Sequence, residues 1–180
     1  RLYLNDGSGQ FEKATRALPL MRSSSGTVAV ADFDGDGDQD IFAGGRLIPG
    51  QYPLAARSYL LENNGNGEFT DVTAEKASGL EQPGMVTTAL WQDLNGDSQP
   101  DLVLDGEWMP LTVFLNQNGQ LQRANNFFGE HTDGWWWSMA KADLDGDGDT
   151  DLIAGNLGQN TNLKVSAEEP ATLYYGDFDE

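Results

Sequence analysis

A ladder of aspartates returns at intervals along this chain and restricts its fold more than any other feature. The first copy is Asp32-Phe33-Asp34-Gly35-Asp36-Gly37-Asp38-Gln39-Asp40. Carboxylates stand at loop positions 1, 3, 5 and 9, position 7 can supply a backbone carbonyl, and a glycine at position 6 permits a sharp turn. Such a loop can surround one hard divalent cation with six or more oxygen atoms. The spacing therefore predicts metal binding rather than a solvated acidic face.

Further copies repeat the spacing. The second ladder is Asp93, Asn95, Asp97 and Asp101, the third is Asp143, Asp145, Asp147, Gly148 and Asp151, and a fourth begins at Asp177-Phe178-Asp179. Carboxylates about 4 Å apart repel by roughly 4 kcal/mol per pair at an effective dielectric near 20, so a divalent cation favours closure of each loop. The predicted cofactor is Ca²⁺, because magnesium prefers a smaller octahedral shell that keeps several waters.

The ladders are not EF-hands. An EF-hand loop needs a bidentate glutamate at position 12 and flanking helices, whereas that position holds Ala43, Leu104 and Ala154 here. Short apolar runs bounded by turn residues flank each ladder, as in Thr27-Val28-Ala29-Val30-Ala31 before the first. Such runs are typical of strands, so each ion loop is predicted to be the turn of a β-hairpin.

Between the ladders, apolar runs end in asparagine and glycine and then resume as a second strand. Examples are Asn63-Asn64-Gly65 after Leu60-Leu61 and Asn116-Gln117-Asn118-Gly119 after Val113-Phe114-Leu115. Asn-Gly turns of this kind join hairpins because they reach positive φ easily. One unit is then four strands: A, ion loop, B, a longer connection, C, an Asn/Gly turn and D. The ladders begin 61 and 50 residues apart, and four-stranded units at such periods are typical of β-propeller blades.

These residues resemble the FG-GAP/VCBS repeat family, including its cartilage acidic protein and ASPIC/UnbV-like groups and, at greater distance, the integrin α-type propeller repeats. Besides the ladders, the resemblance rests on Gly44-Gly45-Arg46, Gly106-Glu107-Trp108, Gly134-Trp135-Trp136, Gly155-Asn156-Leu157-Gly158 and Leu173-Tyr174. It implies an all-β, calcium-bearing propeller used for binding rather than catalysis. It also implies a secreted protein with a role in adhesion, located at a cell surface or in the periplasm of a bacterium.

The resemblance also implies which residues hold the ions. The ligands in the first and third loops are Asp32, Asp34, Asp36, Asp38 through its carbonyl and Asp40, and Asp143, Asp145, Asp147, Asp149 through its carbonyl and Asp151. Those in the middle loop are Asp93, Asn95, Asp97, Gln99 through its carbonyl and Asp101. The middle loop departs from the pattern at Asn95 and at Ser98, which replaces the turn glycine. It is predicted to be the weakest site.

We expect this chain to be a partial propeller, because it opens on strands C and D of one unit and stops inside an ion loop. The units predicted are residues 1–22, the second half of a preceding blade; 23–80, 81–127 and 128–170, blades with the first, second and third calcium loops; and 171–180, the start of a further blade. Open strand edges of such a piece can pair with another chain.

Antiparallel strands reverse direction at every turn, which places the ion loops and the Asn/Gly turns at one face of the ring. The longer connections fall on the opposite face. A protein or glycan partner is therefore expected there, and the possible ligand face comprises Arg46, Tyr52, Glu107, Trp108, His131 and Trp135. Trp135-Trp136-Trp137 is compatible with sugar stacking, although strand alternation favours burial of at least one ring between blades.

Composition excludes several function classes. A formal net charge of −19 disfavours nucleic acid and anionic membrane surfaces as partners, and no apolar stretch approaches the ~18 residues of a membrane helix. The absence of cysteine and the single histidine, His131, exclude thiolate and histidine-cluster zinc sites. No base, acid and charge stabiliser converge in the sequence, so we predict a binding module, not an enzyme. The alternative is a propeller-based polysaccharide lyase or hydrolase whose active site lies largely outside this segment.

Overall fold

The computed structural model describes residues 1–158, 162, 164–166 and 168–176. Its regular structure is almost entirely β, which confirms the predicted all-β class; the exception is the short helix α1 (Thr73–Lys76). The strands are β1 (Leu2–Asn5), β2 (Phe11–Ala14), β3 (Ser24–Ala31), β4 (Asp40–Leu47), β5 (Tyr59–Asn63), β6 (Phe69–Asp71), β7 (Met85–Gln92), β8 (Asp101–Pro110), β9 (Thr112–Asn116), β10 (Leu121–Ala124), β11 (Asp133–Ala142) and β12 (Asp151–Asn156).

Every strand pairing among the described residues is antiparallel. The strands pair in chain order within residues 23–80 and 81–127, called the first and second units below. Strands β3 to β6 form a four-stranded sheet in the order β3-β4-β5-β6. Strand β7 pairs with β8, β8 with β9 and β9 with β10. The ladders lie in the β3–β4, β7–β8 and β11–β12 turns, and the Asn/Gly turns join β5 to β6 and β9 to β10. The predicted strand order A, ion loop, B, C, Asn/Gly turn, D is therefore confirmed in both units.

Strand β8 has a second partner that the sequence does not indicate. Its first half pairs with β9, but its last residues run past β9 and pair with β11, through Asp133↔Pro110, Gly134↔Met109 and Trp135↔Glu107. Glu107 lies opposite Met85 on one side and Trp135 on the other. This pairing joins the third hairpin to the second sheet at the end of β8 away from the ion loops.

The main hydrophobic core lies between the β3–β6 sheet, called the first sheet below, and the sheet that contains β7 to β10, called the second sheet. Phe33, the second residue of the first ion loop, and Trp91, two residues before the second loop, stack with ring centroids 6.2 Å apart, and both are almost completely buried. Val86 of β7 packs against Gly44 of β4 so closely that a Cβ at Gly44 would lie 2.8 Å from the Val86 side chain. The other members of this cluster include Phe42, Leu60, Leu80, Leu102, Leu104, Met109, Phe114 and Leu121.

The first sheet presents apolar side chains on its other face as well. Ala43, Tyr59 and Leu61 form a smaller cluster there with Leu18 and Met21 from the segment after β2. Val28 and Val30 of the same sheet are 61% and 53% exposed. Both faces of this sheet are thus suited to face-to-face packing.

The described residues beyond Asn156 contain no strand. The fourth ladder, Asp177 to Asp179, lies outside the described residues. Within the described part of the chain, no helix is long and apolar enough to cross a membrane.

Candidate calcium loops and the opposite face

The three ladder loops share one hydrogen-bonded conformation, which begins with the carboxylate at position 1. In the first loop, Asp32 Oδ1 accepts from the Gly35 amide at 2.8 Å and Oδ2 from the Gly37 amide at 3.0 Å. Asp93 and Asp143 accept from the equivalent amides at positions 4 and 6 over 2.7–3.2 Å. The first carboxylate therefore folds each loop back on itself.

Two further bonds recur in all three loops. The carboxylate at position 5 accepts from the amide at position 7 at 2.9 Å in each, and the pairs are Asp36–Asp38, Asp97–Gln99 and Asp147–Asp149. The aspartate at position 9 accepts from the amide at position 2 at 3.1, 2.9 and 2.8 Å, and the pairs are Asp40–Phe33, Asp101–Leu94 and Asp151–Leu144. The repeated spacing thus produces a repeated backbone structure.

Acidic side chains converge in the first and third loops. Asp32, Asp34 and Asp36 each offer a carboxylate oxygen within 4.8 Å of the others, and so do Asp143, Asp145 and Asp151. Asp34 Oδ1 is buried and has no hydrogen-bond partner among the described residues. A buried carboxylate oxygen without a partner is costly, and an all-oxygen donor set of this kind fits calcium. The residues present therefore fit the ion that the spacing predicts.

The middle loop is built differently at its side chains. Asn95 Nδ2 donates to Asp97 Oδ2 at 3.0 Å, and no group of three converging acids forms in this loop within the described residues. Ser98 keeps the turn in the absence of glycine by adopting a φ of 67°, a left-handed conformation that costs about 1–2 kcal/mol for a residue with a Cβ.

The aspartate at position 9 is part of the fold as well as a candidate ligand. Asp40 is fully buried, and its Oδ1 also accepts from the Asn63 amide at 2.8 Å. Burial raises the pKa of Asp40 to about 6; the Asn63 and Phe33 amides oppose this shift, and the charges of Asp34 and Asp36 add to it. Asp101 is equivalent, since burial raises its pKa against the opposing amides of Asn116 and Leu94.

A lysine lies at the first loop, and sequence reasoning missed it. Lys76 Nζ is 3.1 Å from Asp34 Oδ2, also pairs with Glu62 and lies 5.3 Å from the centre of the Phe33 ring. Burial acts to lower the pKa of Lys76, but the hydrogen bonds and charges of Glu62 and Asp34 outweigh it and raise that pKa. No spacing signal identifies this contact, because Lys76 lies 42 residues from Asp34 in the chain.

The Asn/Gly turns lie beside the ion loops, as predicted. Besides the bond between Asn63 and Asp40, the Asn116 amide donates to Asp101 Oδ1 at 2.7 Å. Asn116 also reaches the preceding unit, where its Nδ2 donates to the Phe33 carbonyl at 2.6 Å. A Cβ at Gly119 would lie 3.0 Å from the Asp34 Cβ. The second unit's turn therefore packs directly on the first unit's ion loop.

At the opposite end of the sheets, the structure brings together five of the six residues predicted as a ligand face. Glu107 is 2% exposed, and its Oε1 accepts from Arg46 Nε at 2.8 Å and Nη2 at 2.5 Å. Tyr52 donates to Glu107 Oε2 at 3.2 Å and accepts from Trp108 Nε1 at 2.7 Å. His131 is exposed, adopts a φ of 64° and makes no hydrogen bond to this group among the described contacts.

Three tryptophans stack beside these polar groups. Trp108 and Trp135 have ring centroids 5.4 Å apart at an interplanar angle of 28°, and Trp135 and Trp137 are 6.2 Å apart. Arg46 Cζ lies 5.1 Å from the Trp137 ring centre. Trp135 and Trp136 are half-buried and Trp137 is exposed, so the expectation that one of these rings is buried between blades stays a prediction. Trp135 packs on Trp137, whereas Trp136 Nε1 donates to the Thr132 carbonyl at 3.1 Å.

The local backbone presents Trp108 to this stack. Trp108 adopts a φ of 57°, a conformation that is strained for a bulky residue and typical of functional sites. Gly106, two residues earlier, has no room for a side chain, since a Cβ there would lie 2.1 Å from the Met85 carbonyl oxygen. The sequence Gly106-Glu107-Trp108 thus combines a close strand approach, a buried acid and a turned-out indole.

Comparison with protein-family models identifies the family of this chain. A family model described as FG-GAP-like repeat matches residues 1–43 and 93–154, more than half of the chain. No curated protein matches. The matched ranges contain the first and third ladder loops with their convergent carboxylates, and the middle ladder as well. This chain therefore belongs to the FG-GAP-like repeat family.

Proposed function

We propose that this chain is part of a calcium-bearing β-propeller that acts as a binding module for protein or glycan ligands outside the cytoplasm. Family membership supports a propeller-like architecture and an extracellular setting. Calcium in this proposal is structural. The proposed ligands are the fifteen ladder residues inferred from the sequence, and the proposed units are residues 1–22, 23–80, 81–127, 128–170 and 171–180.

The observation that carries the calcium part of the proposal is the Asp34 carboxylate. Its Oδ1 is buried without a partner among the described residues, and its carboxylate lies within reach of Asp32 and Asp36. A cation there would satisfy that oxygen and remove the repulsion among three acids. The third loop, 111 residues further on, also brings three acids together, at loop positions 1, 3 and 9 rather than 1, 3 and 5, which argues for a repeated requirement rather than a local accident.

Sheet packing supports the propeller part. The first sheet packs one apolar face on the second sheet and carries exposed Val28 and Val30 as well as the Tyr59 cluster on the other. A blade inside a ring is covered on both faces by its neighbours, whereas a sheet at the surface of a two-layer sandwich has one polar face.

Binding rather than catalysis is proposed because Glu107, Tyr52 and Arg46, which bring an acid, a phenol and a cation together, are paired with one another and leave the carboxylate only 2% exposed. His131 lies exposed and makes no hydrogen bond to the Glu107 group among the described residues. Turnover of a polysaccharide by this chain would favour the lyase or hydrolase alternative.

The test is a pair of thermal melts, one in millimolar calcium and one in chelator. With dissociation constants near 10⁻⁴ M, as in extracellular modules, each ion contributes about 1.4 kcal/mol at millimolar calcium. Three ions then add about 4 kcal/mol, and for this chain length the melting temperature should rise by roughly 8–16 °C.

Single-site variants identify the loops responsible. Asp36→Ala and Asp147→Ala should each remove part of the calcium-dependent shift, and Asp133→Ala, an exposed acid outside the ladders, should leave it unchanged. Identical melts in calcium and chelator, together with no calcium uptake by calorimetry, would reject structural calcium.

A further inference from the structure

We infer that Tyr52, Trp108, Trp135 and Trp137 form a binding ledge for an uncharged glycan chain, with Arg46 and Glu107 as its polar support. This inference rests on the proposed binding function and names its ligand class. The four ring-bearing residues are called the aromatic ledge below.

The aromatic ledge is fixed in place by a buried acid. Glu107 is 2% exposed and carries two bonds from Arg46 and one from Tyr52. The Tyr52 phenol in turn accepts from Trp108 Nε1 at 2.7 Å. Because a paired, hydrogen-bonded acid beneath the rings is costly to disrupt, the rings are held ready for a ligand and lose little freedom when it binds.

The three indole rings are also held in place by packing on one another. Trp135 lies between Trp108 and Trp137, at centroid distances of 5.4 and 6.2 Å. The strained φ of Trp108, 57°, turns its ring toward the others, and strain of this kind is found where a binding surface requires it. A purely structural cluster would be expected to bury its outermost rings, yet Trp137 is 45% and Tyr52 49% exposed.

The exposed groups have the mixed character that a sugar ring requires. Trp137 and Tyr52 expose apolar ring surface for the C–H face of a pyranose, while Arg46 lies over part of the Trp137 ring. Hydrogen-bonding groups stand at its edge: the Tyr52 hydroxyl, and Arg46, whose side chain is 36% exposed and whose Nη1 makes no bond to the described residues. Apolar surface combined with a few placed polar groups is the usual composition of a ligand site.

Charge decides between glycan classes. The Arg46 guanidinium is paired with Glu107 at 2.5 Å, so the ledge offers no net positive charge, and the chain as a whole carries −19. Such a field repels polyanions. A neutral hexose or pentose chain is therefore the expected ligand, and a uronic acid chain, a nucleic acid or an acidic peptide is not.

The test uses the whole chain in calcium, with cellohexaose, mannohexaose and xylohexaose as neutral probes, hexagalacturonate as the anionic glycan and an aspartate-rich peptide as the protein-type ligand. Tryptophan fluorescence and calorimetry measure binding. At least one neutral probe should bind, and neither acidic probe should bind more tightly. Absence of binding to all three neutral probes, or preference for hexagalacturonate or the peptide, would overturn the inference.

Variants place the binding on the ledge. Trp137→Ala should weaken binding at least tenfold, and Tyr52→Phe should weaken it several-fold by removing one hydroxyl. The control is Tyr174→Ala, because Tyr174 is 82% exposed and belongs to no part of the ledge. Trp137→Phe keeps an aromatic face and should retain most of the affinity, which separates stacking from loss of fold. Unchanged affinity in Trp137→Ala would overturn the assignment.

The calcium melts keep this inference distinct from the proposed function. A calcium-dependent melt with no glycan binding would reject the ledge alone. Glycan binding lost in Trp137→Ala, with identical melts in calcium and chelator, would support the ledge and reject structural calcium.

Discussion

The Asn116 side chain donates to the Phe33 carbonyl at 2.6 Å, across a sequence separation of 83 residues. Phe33 is the second residue of the first ion loop, and Asn116 is the first residue of the second unit's Asn/Gly turn. The same side chain donates to the Pro100 carbonyl at 3.1 Å, within the second ion loop, and accepts from the Gly119 amide at 2.9 Å. One buried amide therefore connects two ion loops and a turn.

Replacement of that amide should destabilise the chain. Asn116→Ala leaves the Phe33 and Pro100 carbonyls and the Gly119 amide without this partner, at a cost of about 2 kcal/mol or more. For a chain of this length the melting temperature should fall by roughly 4–8 °C. The matched control is Asn63→Ala at the equivalent turn, where Nδ2 makes only an exposed bond to the Gln39 carbonyl at 3.2 Å. An equal loss in both variants would contradict a connecting role for Asn116.

Lys76 should weaken calcium binding in the first loop. The Lys76 ammonium nitrogen lies 3.1 Å from Asp34 Oδ2. A calcium ion that binds Asp34 must therefore share this carboxylate with the lysine or displace the lysine from it. Lys76→Met should tighten calcium at that loop about three- to tenfold, because partly exposed ion pairs of this kind contribute about 1 kcal/mol. The same change should lower the melting temperature in chelator, since Asp34 and Glu62 lose their counter-charge.

The control for this prediction is Lys141→Met. Lys141 donates to the Trp91 carbonyl at 2.8 Å and to Gln92 Oε1 at 3.0 Å, both neutral acceptors. Its loss should therefore leave calcium affinity unchanged. Calorimetry on both variants decides, and weaker or unaltered calcium binding in Lys76→Met would rule out the competition.

The middle loop should be the weakest of the three calcium sites. Its Asn95 amide is bonded to Asp97 Oδ2 at 3.0 Å, so Asn95→Asp both adds a carboxylate and frees Asp97. Ser98→Gly relieves a left-handed residue. The double variant should bind calcium at least tenfold more tightly, and Ser98→Gly alone should melt at a higher temperature in chelator because it relieves the left-handed residue without adding a charge.

The reverse changes in the third loop provide the comparison. Asp145→Asn with Gly148→Ser should weaken that loop, because Gly148 has a φ of 96° and Asp145 is one of three converging acids. Site-by-site calorimetry is the measurement. If the middle loop gains nothing while the third loop loses nothing, ligand charge does not set the affinity.

Asp40 should make stability in chelator depend on pH. Its folded pKa of about 6 lies above the ordinary value of 3.8, so between these values the folded state holds a proton that the unfolded state has lost. The Asp40 contribution to the free energy of unfolding should therefore increase as pH falls from 6 toward 4 and disappear as pH rises through 6. Bound calcium favours the ionised carboxylate, so saturating calcium should abolish this increase.

Carboxyl-carbon NMR of Asp40 measures the effect directly, and denaturant unfolding between pH 5 and 7 gives its energetic counterpart. The Asp40 signal should titrate with a midpoint near 6 in chelator and well below that in calcium. A midpoint near 4 in chelator, or the same midpoint in both solutions, would contradict the buried-acid interpretation.

The sequence by itself determined the parts of this protein that local chemistry controls. Each ladder folds through bonds between residues two to seven positions apart, as Asp32 does with Gly35 and Gly37, so the same spacing produces the same loop wherever it occurs. Alternating apolar runs and Asn/Gly turns likewise specify antiparallel hairpins at short range. The all-β class, the strand order of residues 23–80 and 81–127, the ion loops and the side on which the turns lie all follow from such signals.

Only the tertiary structure decided which distant residues meet. Lys76 reaches Asp34 and Arg46 reaches Glu107 across 42 and 61 residues, and these contacts depend on how one sheet packs on the next. The bend of β8 past β9 onto β11 places Trp135 opposite Glu107, and it depends on the close approach at Gly106 and the left-handed Trp108. Side-chain type predicted a ligand face, but in the structure His131 makes no hydrogen bond to it and Trp137 joins it, because proximity across sheets has no periodicity that a single sequence reveals.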